Sequence, residues 1–367
     1  MADTDVYERL REKISRWPMR VPRTKELIEM LKILFTEKEA EFLIHFTAPY
    51  QDPETMDQIV ERTGKSREDV SAIVERLVSR GLLFKFTSRS DTYVYYSLMP
   101  MVPGIFEFYF SSDPDSDEKI RVGELFEKYY FGGGGLEAGA SNYPWARVMP
   151  IEETITVNKE ISSGPVIFPY EKMSEFIKTS RKIAVINCAC RTKKMCHHPL
   201  ETCLVLDYYA EFMVEKKSGR FLTVEEALDL LEETEKAGLV HSTMNAQTRP
   251  QFICNCCTCA CLILRGLTEL HNPRAVAKSN FLPARNDATC TRCRRCVDIC
   301  PMKANVYHAK HDNQAERIIL LEERCIGCGL CAYHCPTQAV KMVKVRDQVP
   351  ELTPREAFMR VEAERVH

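Results

Sequence analysis

The first 187 residues contain no cysteine, and the whole chain has only 2 tryptophans. An excess of one charge is also missing, since 50 Lys and Arg stand against 52 Asp and Glu. That balance gives no electrostatic reason to expect nucleic acid or an acidic membrane as the partner of the whole chain. No run of eighteen apolar residues occurs, so no membrane span is expected. The longest greasy stretch, Leu98 to Phe110, is broken by Pro100, Pro103 and Glu107. The opening Met1-Ala-Asp-Thr-Asp5 lacks the basic and then apolar pattern of an export signal, so the expected compartment is the cytoplasm. Nor is there a nucleotide-binding glycine motif, a nucleophile elbow or a pair of carboxylates to seat independent catalysis.

What the chain does have is 17 cysteines, all between Cys188 and Cys335. A disulfide framework needs an oxidising compartment, which a chain without an export signal does not reach. Dense cysteines in a reducing compartment are better explained as thiolate ligands for metal. The expected class is α+β and multidomain, with a cysteine-free half before a metal-binding half.

Helical spacing runs through Leu27, Met30, Leu31 and Leu34, then through Phe42, Leu43 and Phe46. A short helix is expected over 54–62 and a second over 67–80, opened by the pair Ser66 and Asp69 and closed by Gly81. Two strand-like runs, 82–87 and 92–98, follow around the turn Ser88-Arg89-Ser90-Asp91. Helix, turn, helix and hairpin in that order resembles a winged-helix domain, placed here at 1–110. Residues 51–90 carry seven acidic and seven basic side chains. Non-specific DNA affinity needs an excess of positive charge, so DNA is not the expected partner. The aromatic stretch Pro100 to Phe110 is expected to recruit a partner or pair two chains, in a homodimer or a larger complex. Packing onto the next domain is its alternative.

The polar run Ser111 to Asp117 and the four glycines Gly132 to Gly135 are expected to form a flexible linker over 111–147. A cysteine-rich α/β middle domain is expected over 148–285. Its strand 182–187 leads into Cys188-Ala-Cys190-Arg191, followed by Cys196, His197, His198 and Cys203. A helix is expected over 201–217, and a capping box at Thr223 and Glu226 opens the next, which ends at Gly238. A strand at 251–253 ends in Cys254-Asn-Cys256-Cys257-Thr-Cys259-Ala-Cys261. Two strands that both end in cysteines are expected to bring them to one edge of a small sheet. Nine thiols exceed the needs of one four-ligand site. A subset is expected to hold a further Fe–S cluster, with zinc as the competitor. His197, His198 and His241 are read as neighbours of the site, with ligation as the alternative.

The last group is more specific. Cys290-x-x-Cys293-x-x-Cys296-x-x-x-Cys300-Pro301 is followed by Cys325-x-x-Cys328-x-x-Cys331-x-x-x-Cys335-Pro336. This doubled run resembles that of bacterial 2[4Fe–4S] ferredoxins, in which the fourth cysteine of each run serves the other cluster. The resemblance covers 286–345 and implies two [4Fe–4S] clusters. One would use Cys290, Cys293, Cys296 and Cys335, the other Cys325, Cys328, Cys331 and Cys300. Strands at 306–309 and 318–321 are expected between the runs, joined by the turn Asp312-Asn313-Gln314, and a helical tail over 346–367. Arg294 stands where the second run has Gly329, so Arg292, Arg294 and Arg295 crowd the first cluster and should raise its potential, with a docking patch for an acidic partner or plain solvated charge as the alternatives. The wider layout is similar to dicluster ferredoxin-type proteins of anaerobic microbes.

The expected function is relay of single electrons from a low-potential donor to a catalytic partner, as a component of an oxidoreductase system. The alternatives are a reductase or reductive activase with its active site in the middle domain, and a redox-sensing winged-helix regulator of transcription.

Overall fold

The computed structural model describes residues 5–112, 116–155, 167–194, 196–309 and 316–366. Three helices open the chain, α1 (Val6–Ile14), α2 (Lys25–Leu34) and α3 (Glu37–Ile44). Each begins where a side chain, of Asp5, Thr24 or Thr36, accepts one of the free backbone N–H groups of its first turn. Then come β1 (Glu54–Thr55), α4 (Met56–Thr63), α5 (Arg67–Ser79), β2 (Phe84–Thr87) and β3 (Val94–Ser97). The three strands form an antiparallel sheet in the order β1-β3-β2. Ser66 starts α5 by accepting the Asp69 N–H at 3.1 Å.

The next two helices correct two expectations. In α6 (Phe106–Phe110), Phe106, Phe108, Tyr109 and Phe110 are all buried. The Phe108 ring lies 6.1 Å from Phe84 and 5.6 Å from Tyr209, and Phe106 lies 4.3 Å from Phe126. These aromatics are therefore an internal seam onto the middle of the chain, as the packing alternative has it, and do not themselves form an exposed patch. The stretch expected to be a flexible linker holds α7 (Asp117–Phe131), which packs against α2. The glycines that follow serve close approach. A Cβ on Gly135 would stand 2.6 Å from the side chains of Leu270 and Tyr130.

The middle of the chain is built on six strands: β4 (Ala146–Val148), β5 (Ile183–Asn187), β6 (Glu201–Leu206), β7 (Gly219–Leu222), β8 (Val240–Met244) and β9 (Phe252–Cys256). Their order is β4-β8-β9-β6-β5-β7, with every pairing antiparallel. Around them lie α8 (Met173–Thr179), α9 (Ala189–Lys193), α10 (Tyr208–Glu215), α11 (Val224–Lys236) and α12 (Leu262–Thr268). The helix expected over 201–217 is two elements. Thr202-Cys-Leu-Val-Leu206 is a buried strand, and Asp207 breaks the chain at φ 53 before α10 begins. One face of the sheet packs Ile183, Val185, Leu204, Leu206 and Ile253 against α8 and α11. The other face turns Cys203 and Val205 into the main core.

The chain ends in β10 (Phe281–Arg285), α13 (Arg295–Asp298), β11 (Asn305–His308), β12 (Arg317–Leu320), α14 (Leu330–Tyr333), β13 (Val340–Lys344) and α15 (Pro354–Ala363). β10 pairs with β13 and β11 with β12, both antiparallel, so the ferredoxin-like sheet draws on residues before 286. The expected turn at Asp312 to Gln314 lies outside the described residues. α15 returns to the start of the molecule, with Phe358 4.5 Å from Trp17.

Candidate metal centres

The two ferredoxin-like runs build two cavities. The first is lined by Cys290, Cys293, Cys296 and Cys335, together with Arg285, Arg292, Arg294 and Arg295. The second is lined by Cys300, Cys325, Cys328 and Cys331 among Pro283, Met302, Ala304, Ile326, Leu330 and Met342. Each cavity thus collects three cysteines from one run and the fourth from the other. Their surroundings differ in kind. Cys293 is exposed and the first cavity is rimmed by guanidinium groups, whereas Cys300, Cys325 and Cys331 of the second are buried and no charged side chain lines it. Burial raises the thiols of Cys325, Cys328 and Cys331, the last to about 12. In the first site Arg285 donates to Cys296 Sγ at 3.8 Å and to the Ile318 carbonyl at 2.6 Å, while its buried Nε has no protein partner. In the second, the Ala304 N–H donates to Cys300 Sγ at 3.2 Å.

The nine cysteines of the middle segment divide into two groups. Six gather in a ring, Cys188, Cys190, Cys261, Cys256, Cys254 and Cys203, each close enough to its two neighbours to perturb their titration. Local geometry explains their convergence. Cys254 and Cys256 are two apart in β9 and so share a face. Cys203 sits in the neighbouring strand, Cys188 follows the end of β5, Cys190 lies in α9, and Cys261 caps α12. The ring therefore stands where β5 and β9 end and β6 begins, at one end of the middle strands. β-Pleating displays the thiols from the face, where β6 and β9 are neighbours.

Arg191 lies against this ring, 1% exposed, and donates to the Asn255 carbonyl at 3.0 Å and to Thr202 Oγ1. Burial works against its charge, but Cys188 and Cys203 more than restore it and raise its pKa. The Arg191 Nε is buried without a protein partner. Cys254 and Cys261 lower the Cys256 thiol to about 6, and Cys190 and Cys203 lower Cys188, while the other four thiols of the ring are raised by their neighbours and by burial. Six convergent cysteines beside a fixed buried cation, two of them with lowered thiols, are a donor set from which an iron–sulfur cluster can draw its thiolates. Both orphaned guanidinium nitrogens, of Arg191 and Arg285, lie beside cysteine groups, as a missing acceptor there demands. The residues present fit such a group at all three places.

The second middle group is Cys196, His198, Cys257 and Cys259. Of the other histidines, His197 is exposed, with its ring centroid 4.0 Å from that of His198 and tilted by 34°. His241 uses both ring nitrogens, on Asn255 Oδ1 at 2.6 Å and Glu235 Oε1 at 2.9 Å, so it offers no lone pair to a metal. Sequence reasoning misses Arg285, which no local motif marks, and Glu127, which lies in the stretch whose polar run and glycines read as a linker. The motif Cys188-Ala-Cys190-Arg191 does not by itself give Arg191 a role. Its burial beside the ring supplies one.

The chain's family match lies at this end of the molecule. Residues 289–345 match the family described as 4Fe-4S dicluster domain. This segment is a 4Fe-4S dicluster domain. The archaeal-type glutamate synthase [NADPH] of Thermotoga maritima is 38% identical over 64 residues, 17% of this chain and 12% of that protein. NADH-quinone oxidoreductase subunit I 2 of Geobacter metallireducens is 36% identical over 63 residues, 16% of this chain and 48% of that one. Hydrogenase-4 component A of Escherichia coli is 34% identical over 92 residues, 24% and 40% of the two chains. The chain thus spans less than half the length of these curated relatives. No solved structure matches. Among the described residues no helix is long and apolar enough to cross a membrane.

Proposed function

We propose that the chain is an iron–sulfur electron-transfer protein or subunit that relays single electrons to a redox partner. The observation that carries this reading is the pair of four-cysteine cavities, each completed by the fourth cysteine of the other run. In the proposal Cys290, Cys293, Cys296 and Cys335 hold one [4Fe–4S] cluster, and Cys325, Cys328, Cys331 and Cys300 hold the second. Such clusters supply reversible one-electron chemistry, and the chain's residues set where it is exposed. Exposed Cys293 makes the first site the surface port. The second site is interior: the Cys328 carbonyl accepts the Ile151 N–H at 3.1 Å, and Ser279 donates to the Gly327 carbonyl at 2.6 Å.

The six-thiol ring supports a third iron–sulfur cluster as the inner end of the relay. Cys256 and Cys261 of the ring share one hydrophobic core with Cys300 and Cys325 of the second site. Relatives named as oxidoreductase and hydrogenase components support a redox partner. We read the segment of α4, α5 and β1 to β3 as a winged helix that serves packing. Its Arg62, Arg67, Arg76, Arg80, Lys85 and Arg89 are each paired with an acidic side chain, which leaves little positive field for DNA.

The test is iron and sulfide analysis with EPR on anaerobically purified protein. More than about eight irons per chain is the expected result. Cys293→Ser and Cys328→Ser should each remove or convert one signal and leave the other. Unchanged iron and spectra in both variants would refute the ligand assignment, and eight irons or fewer would refute the third cluster.

A further inference from the structure

We propose that Cys196, His198, Cys257 and Cys259 form a separate mononuclear zinc site, closed by four protein ligands and structural in role. Among the described residues this is the one group of cysteine, histidine and carboxylate side chains whose ligand atoms all lie within 4.8 Å of one another. Cys196 Sγ is 3.9 Å from Cys257 Sγ and 3.6 Å from His198 Nδ1, and Cys259 Sγ is 3.9 Å from the same nitrogen.

These separations decide the kind of metal centre. Four ligands in a tetrahedron with bonds of about 2.3 Å to sulfur and about 2.0 Å to nitrogen stand roughly 3.5–3.8 Å apart. A four-iron cube places irons and sulfides between its thiolates and pushes them well beyond such distances. The group therefore converges on a single ion, whereas among the described residues no three of the ring thiols lie within 4.8 Å of one another. Three thiolates and one imidazole are a donor set that zinc takes in structural sites. No ligand position is left open for water or substrate, so the site has no chemistry of its own.

Its place in the fold gives the site a purpose. The segment from Cys257 to Cys261 leaves β9 and delivers Cys261 to the ring, with the Cys261 N–H on the Cys257 carbonyl at 3.2 Å. Ring member Cys190 packs against the same small cluster as Cys196 and Cys259. Arg191 reaches both groups, with Nη1 3.8 Å from Cys257 Sγ. A redox-inert ion here would pin the loop 196–198 to the turn after β9 and hold Cys190 and Cys261 in register. His198, set aside as a neighbour on sequence grounds, becomes the fourth ligand.

The experiment is zinc and iron analysis of the full chain purified anaerobically, with X-ray absorption at the zinc edge. The expected result is one zinc per chain, with three sulfurs at about 2.3 Å and one nitrogen at about 2.0 Å. Cys259→Ala should lower zinc content at least tenfold and keep the iron signals of the C-terminal dicluster segment. Should that variant fail to fold, His198→Cys should keep the zinc and turn its spectrum to four sulfurs. Absence of zinc, a mononuclear iron in its place, or a zinc spectrum unchanged by His198→Cys would overturn the proposal. Zinc is read independently of iron, so this result and the iron count stand or fall separately.

Discussion

At the first cysteine loop, arginines occupy backbone positions that the second loop gives to glycine. Arg292 and Arg294 have φ of 54 and 64, where Gly327 and Gly329 have 73 and 88. A Cβ on Gly327 would lie 2.1 Å from Ser279 Oγ, so the inner loop admits nothing larger, while the outer loop faces solvent. Left-handed backbone costs a non-glycine residue about 1–2 kcal/mol, and here it secures positive charge beside the exposed site. Positive charge favours the reduced, more negative cluster, and burial without charged neighbours disfavours it. The first site should therefore have the higher potential. Arg285→Gln should lower that potential by tens of millivolts, at roughly 60 mV per 1.4 kcal/mol, and leave the second in place. EPR-monitored redox titration checks this, and equal shifts at both sites would refute it. Glu107 offers a pH test. Burial pushes its carboxyl up to about 7, with the Gly104 N–H donating to it at 2.7 Å. Between the usual carboxylate range and pH 7 the folded chain holds a proton that the unfolded chain has released. Stability should thus fall as pH rises through that window, by no more than about 3 kcal/mol. Thermal melts of the wild type and Glu107→Gln from pH 5 to 8 should diverge, and parallel profiles would exclude the effect.

Among the elements, α7 does the most for the ring. Its Glu127 receives Arg265 of α12, whose guanidinium is 0% exposed, and Lys193 of α9. Those two helices carry or follow Cys190 and Cys261. Arg265 would keep Glu269, but Lys193, whose side chain is also 0% exposed, would lose its carboxylate, so Glu127→Gln should destabilise the fold by about 3 kcal/mol. Hydrogen exchange should quicken first in 189–193 and 262–268, ahead of the dicluster segment. Uniform quickening would mean that the clamp acts on the whole molecule. The strand β6 shows how local reading went astray. An acidic start and a long apolar run pass for a helix until Asp207 interrupts it. A run of Thr, Cys, Leu, Val and Leu between polar neighbours was the signal for a buried strand.

For the molecule as a whole, the aromatic seam joins the N-terminal helices to the six-stranded sheet. Phe108 packs between Phe84 of β2 and Tyr209 and Phe212 of α10. Phe108→Ala should cost about 3 kcal/mol in chemical denaturation, as a large core truncation does, with no change of oligomeric state in sizing experiments. Loss of a dimer or complex with stability intact would restore the adhesive-surface reading. The paired charges of α5 carry the matching expectation for nucleic acid. Duplex DNA titrated into the full chain at physiological salt should show no tight binding, and a tight, sequence-selective complex would favour the regulator.

Covalent spacing was enough to reveal the dicluster segment, because three cysteines on one short loop and a fourth before proline constrain a metal site wherever the chain goes. The capping residues Ser66, Thr223 and Gly238 were legible for the same reason: their hydrogen bonds and φ angles are settled within a few neighbours. Tertiary structure alone decided the division of the other nine cysteines. Which face of β9 a thiol occupies depends on strand register, and the meeting of Cys196 with Cys257 depends on a pairing of strands far apart in sequence. The fate of Phe106 and Phe108 was undecided for a like reason. An aromatic run reads the same whether it covers a partner or its own core, and only the surface it meets on folding settles the difference.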